Sequence, residues 1–162
     1  MKLVKNEKGS LLVIAIFVLL LLTMIGMFAT NTSTLELMIS GNDKTSKINF
    51  YKAESSAYVG ASKIESFKIK PNPASYNWLH SEDDPADPMD SDTWTNANSQ
   101  IVTSLGSARF VVNDGGKYVP KGSSLVIKQA YGSGQINVYH ISGRSIENNG
   151  ESIVTIGLKK KY

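Results

Sequence analysis

The sequence predicts an α+β protein: a long N-terminal hydrophobic α-helix packed on an antiparallel sheet of about four strands. Three observations carry that expectation. Leu11 to Ala29 form an apolar run broken only by Thr23 and the side-chain-free Gly26. Further on, Phe50, Ala53, Ala57, Gly60, Ile64 and Phe67 recur at steps of three and four, which is one stripe of a helix. In the last third, β-branched runs alternate with Asn, Gly and Ser turns, the pattern of a strand meander.

The first element is the opening stretch "KNEKGSLLVIAIFVLLLLTMIGMFAT", residues 5–30. As a helix, its apolar run would be about 29 Å long, close to the hydrocarbon thickness of a bilayer. A cleaved secretory signal has an apolar region of about 7–15 residues and then a small-x-small cleavage site. This run is longer, and no such site follows it cleanly. Lys2, Lys5 and Lys8 precede it, and the next basic residue is Lys44. That asymmetry puts the N-terminus in the cytoplasm and the remainder across the membrane, a single-pass arrangement.

Five regions follow: a leader at 1–9, a transmembrane or assembly helix at 10–30, the second half of the N-terminal helix at 31–70, an acidic loop at 71–98 and the sheet at 99–162. Residues 31–162 are expected to form one globular domain. Between the helical parts lies "ISGND" (39–43), whose Gly41 and Asn42 are poor helix formers and predict a kink or a melted turn. Ser33 and Glu36 have capping-box spacing, which also occurs inside continuous helices. The loop holds four of the five prolines, six acids and no Lys or Arg. The strands read as 108–112, 124–131, 135–147 and 151–162, with Gly132–Gly134 as a turn and Asn149-Gly150 as a hairpin signal.

The net charge is +3, and the leader alone carries three lysines against Glu7, so the rest is nearly neutral. Nucleic acid is not an expected partner on that balance. With no cysteine, disulfides, thiolate metal sites and a thiol nucleophile are excluded. His80 and His140 are the only histidines, and neither stands in a metal-ligand or nucleophile-elbow pattern. Converging groups for catalysis are not legible, so no enzyme and no cofactor are expected. Asp83, Asp84, Asp87, Asp90 and Asp92 are the one candidate metal set, as hard oxygen ligands for calcium. The bland alternative is a solvated loop, and EF-hand spacing is lacking. Trp78 and Trp94 flank the acids and are expected to pin the loop to the domain. Lys159 to Lys161 read as a solvated strand end.

The leader ends "EKG" and the apolar run starts at Ser10, which resembles the leaders removed by prepilin peptidase. More widely, residues 9–56 resemble the N-terminal region of the PilX family of type IV pilus minor pilins. The shared parts are the apolar run, Thr32 to Thr34, Leu35-Glu36, Gly41-Asn42, and Tyr51 with Ala53-Glu54. The closing "YHISGRSIENNGESIVTIGLKKKY" resembles that family's last strand pair. The resemblance implies a pilin-like fold and a structural, non-enzymatic subunit that primes pilus assembly, with the fibre tip as its place. It implies cleavage between Gly9 and Ser10, methylation of the Ser10 amine, and assembly through Leu11, Ile14, Leu35 and Glu36. Partners would be the peptidase, other minor pilins and the major pilin, first in the inner membrane and then in the extracellular fibre. Major pilins usually carry a glutamate five residues after the cut, where this chain has Ile14. A charge there is costly in lipid unless a partner meets it, so its absence suits a subunit with nothing ahead of it in the stack. The rivals are a minor pseudopilin of type II secretion and a signal-anchored periplasmic binding protein or enzyme.

Overall fold

The computed structural model of the protein describes residues 7–118 and 136–162. The strand expected at 124–131 and the turn at 132–134 lie outside the described residues. The chain divides into two compact units, one ending at Asp43 and the other Lys44–Tyr162.

Helix α1 is assigned over Glu7–Ser66. Residues 39–43 are helical, so the melted turn expected there is not observed. Two poor helix formers cost about 1 kcal/mol or less each, too little to break an element with helix on both sides. Ser33 and Glu36 likewise sit inside the helix rather than at its start.

In the second unit, α1 packs on a mixed sheet with five strands among the described residues. Its strands are β1 (Leu79–His80), β2 (Gln100–Ile101), β3 (Arg109–Tyr118), β4 (Ile136–Glu147) and β5 (Gly150–Lys160). The path is β1-β3-β4-β5, with β2 also on β3. The three long strands form the expected antiparallel meander. β1 runs parallel to β3, with Leu79 beside Val112. The region 71–98 is therefore more structured than a plain loop: it contains β1 and 3-10 turns at Pro73–Ser75 and Ser91–Trp94. The β4–β5 hairpin turns on Asn148 and Asn149, whose φ values of 49° and 61° suit a type I′ turn. Gly150 opens β5 instead of lying in the turn.

The core lies between the helix and one face of the sheet. Ala57, Ala61 and Ile64 meet Phe110, Val112, Tyr139 and Ile141 there. Small residues bring the backbones close. A methyl group added at Gly143 would lie 2.1 Å from the Ala53 carbonyl oxygen. Phe50, placed in the buried stripe by its spacing, is 47% exposed. Its neighbour Asn49 is buried instead, donating to the Glu147 carbonyl at 3.0 Å and accepting from the Ser145 hydroxyl at 3.0 Å. Ser56 donates across the same interface to the Arg109 carbonyl, at 2.9 Å. The helix end is closed by Lys160, whose ammonium donates to the carbonyls of Ile64 (2.7 Å), Glu65 (2.8 Å) and Phe67. These are among the carbonyls a helix C-terminus leaves without partners, and a cation suits that pole of the dipole.

Candidate assembly surfaces

The first unit presents apolar side chains in every direction. Leu11 is 67% exposed, Ile14 57% and Phe28 65%, and Leu35 and Glu36 are exposed as well. Among the described residues, one helix is long and apolar enough to cross a membrane, and none of its most apolar window is buried. A helix apolar all round belongs in lipid or in a bundle of its own kind. Its threonines agree with that. Thr23, Thr30, Thr32 and Thr34 each donate to the carbonyl four residues back, at 2.8–3.0 Å. Each hydroxyl proton is thereby satisfied within the helix, so the polar groups ask nothing of lipid. Gly9 is exposed with open space around its α-carbon, and Ser10 follows it in the helix.

The second unit has an outward helix face that the sequence reading missed. Ile48, Tyr51, Ser55, Tyr58 and Ser62 are exposed at steps of three and four. Tyr51 and Tyr58, seven residues apart and offset from the alanine and glycine stripe, were the available signal. An aromatic and small-residue row on a free helix face can receive another helix.

The acidic region is held to both faces of the sheet, by Trp78 against Phe110 on the helix side and by Trp94 against Arg144 on the far side, so both tryptophans pin it as expected. Trp78 is 4% exposed and stacks among Phe67, Tyr76 and Phe110, with ring centroids 5.2–6.5 Å away. Trp94 donates from Nε1 to the Pro88 carbonyl at 3.0 Å and receives the Arg144 guanidinium over its ring at 5.5 Å. Asn113 and Ala86 exchange two hydrogen bonds, 2.8 and 2.9 Å. Arg109 donates to Ser99 and Asn96, and burial lowers its pKa.

Asp84, Asp87, Asp90 and Asp92 line a cleft of about 280 Å³ with His80 and Thr93. Two of these carboxylates are engaged with their own backbone: Asp87 accepts from the Met89 amide at 2.9 Å and Asp90 from the Asp92 amide at 3.0 Å. Among the described residues, no group of three or more His, Asp or Glu side chains could hold a metal ion. Asp83 is exposed and outside the cleft lining. His80 and His140 do share one row of the sheet, but with Asn113 between them. The His80 Nε2 is bonded to the Asn98 carbonyl oxygen at 2.9 Å.

The family model for the PilX N-terminal region matches residues 8–57. No curated protein and no solved structure matches the chain. The matched span covers the apolar helix and the outward row as far as Ser55, so the likeness and much of the exposed surface fall on the same residues. Over those residues the chain is similar to the PilX N-terminal family.

Proposed function

We propose that the chain is a minor pilin that primes assembly of a type IV pilus and stands at the fibre tip. The observation that supports this most is an unburied apolar helix starting directly after Gly9, behind a basic leader and inside the family match. On this reading, prepilin peptidase cuts between Gly9 and Ser10 on the cytoplasmic side. Methylation of the Ser10 amine then follows. Leu11 to Ala29 first hold the subunit in the inner membrane and then pack among the helices of other minor pilins and the major pilin, with Leu35 and Glu36 along the same contact. Little solvation is lost in that transfer, because lipid and helix bundle are both apolar. Ile14 supports the tip position: the side chain there has no charge to neutralise the N-terminal amine of a subunit above it.

The test is the mass of the N-terminal peptide from native membranes, with and without the peptidase. A peptidase-dependent N-terminus at Ser10 is expected. An intact leader in both strains, or a cut beyond Ala29, overturns the pilin reading. For the priming role, deleting the gene should lower the number of fibres per cell. An unchanged number refutes it.

A further inference from the structure

The second unit carries a feature that the fibre reading does not use. β5 is the outermost strand of the sheet: β4 pairs along one side of it, and no described residue pairs along the other. Eleven register pairs join it to β4 without a bulge. It contains no proline, and its lysines lie only at the end, at 159–161. Long edges are normally blunted by bulges, prolines, inward charges or shortness, because their free N–H and C=O groups recruit other strands. The opposite edge of this sheet shows such blunting, since β1 and β2 are two residues each. The β5 edge from Gly150 to Leu158 shows none of it. Val154, Ile156 and Leu158, on the helix-facing side, are only half-buried.

We propose that this edge recognises a second copy of the chain, β5 against β5, antiparallel, about a two-fold axis at Thr155. The side-chain order of the strand supports this occupant. On the face away from the helix stand Glu151, Ile153, Thr155, Gly157 and Lys159. The face is fixed by Arg144 bonding Glu151 at 2.6 Å and Ser142 bonding Thr155 at 2.8 Å. In the Thr155-centred register, Glu151 lies directly opposite Lys159 of the second copy, twice by symmetry. Ile153 lies opposite Gly157, which has open space around it. Thr155 meets itself. On the helix side, Val154 lies opposite Ile156, so the half-buried aliphatic row becomes continuous across the pair. Opposite charges, a bulky residue over a glycine and a matched aliphatic row are what stabilise cross-strand neighbours.

The helices do not obstruct the pairing. Gly143 and Ile141 place the Lys44–Ser66 stretch of α1 over β4. From β4 to β4 of the second copy is three strand spacings, about 14 Å, against the 8–10 Å of helices in contact. The axis lies along the sheet normal, so it reverses the strand and the helix stretch packed on it. The contact therefore joins copies of opposite polarity. It is distinct from helix stacking in one fibre, and its success or failure is independent of the pilin reading.

The chain has no cysteine, so single-cysteine variants of the full-length protein in detergent report the register directly. Under mild oxidation, Thr155→Cys should form a disulfide-linked dimer. Ile153→Cys and Gly157→Cys should each stay monomeric alone and link to each other when mixed. In the Thr155→Cys background, Lys159→Glu should cut linked yield by roughly tenfold, and adding Glu151→Lys should restore it. Absence of a link at 155, or equal linking at all three positions, overturns the proposal. Failure of the double charge swap to restore the link overturns the register.

Discussion

Replacing Gly143 with Ala tests the closest approach in the fold. The new methyl carbon would stand 2.1 Å from the Ala53 oxygen, 2.4 Å from the Ser56 hydroxyl and 2.7 Å from the Ala57 nitrogen. Two of these atoms are helix backbone, so no rotamer change relieves them. The helix must retreat by about 1 Å, and overpacking of this kind costs about 1–3 kcal/mol, occasionally more. The retreat also stretches the Ser56 bond to the Arg109 carbonyl, now 2.9 Å, worth about 1 kcal/mol. Removing glycine from a strand returns about 0.5–1 kcal/mol. The net expectation is a loss of about 3 kcal/mol, a large share of a domain's typical 5–15 kcal/mol. Urea unfolding of the full-length protein in detergent, followed by tryptophan fluorescence, reads it. With a slope of about 1.5 kcal/mol per molar, the midpoint should fall by about 2 M. Gly157→Ala in the neighbouring strand is the control. Nothing lies within 4 Å of its added methyl, so its midpoint should hold or rise. A loss below about 1 kcal/mol for Gly143→Ala, or equal losses for both variants, would refute the close-packing argument.

Three further outcomes follow from single contacts. Lys160→Met should destabilise the domain by about 2 kcal/mol, the scale of hydrogen bonds to a charged donor, and speed amide exchange around Phe67. Protection equal to that of the parent protein would show that the helix end does not depend on this ammonium. Burial, then the Tyr162 hydroxyl, pushes the Tyr139 phenol well above the usual tyrosine value. The unfolded chain ionises near pH 10, so stability is whole below that pH and falls above it, by up to about 1.4 kcal/mol per pH unit. Tyr139→Phe should flatten that fall, and an unchanged slope would assign it elsewhere. Asn149→Val forces a β-branched residue to positive φ and should cost about 1–2 kcal/mol, with Asn149→Gly near neutral, both read by thermal unfolding.

The parts of this fold that were legible are those set by local chemistry. Leu11 to Ala29 announce themselves by apolarity alone, and the β4–β5 hairpin by alternation and its asparagines. What escaped was set at a distance. Hydropathy put Phe50 on the buried face, whereas the sheet offered Asn49 two hydrogen-bond partners ninety-odd residues away, and that polar contact decided the helix's rotation. β1 and β2 are two residues each, too short for any periodicity, and exist because β3 supplies their partners. Gly9, Ser10 and Ile14 are proposed from sequence position alone, and the fold adds no contact to them. The Tyr51–Tyr58 row was not legible, since a half-exposed aromatic row looks like core until the opposite face is known to be filled.

The closure of the helix end by Lys160 bears on the order of events during synthesis. The ammonium that the carbonyls of Ile64, Glu65 and Phe67 share belongs to a residue 93–96 positions further along the chain. At about 5–20 residues per second, that is a delay of roughly 5–20 s. During this interval the sheet that covers Ala53, Ala57, Gly60 and Ile64 is still incomplete, because β3, β4 and β5 emerge in turn. The domain is complete only when β5, the last strand, has been made.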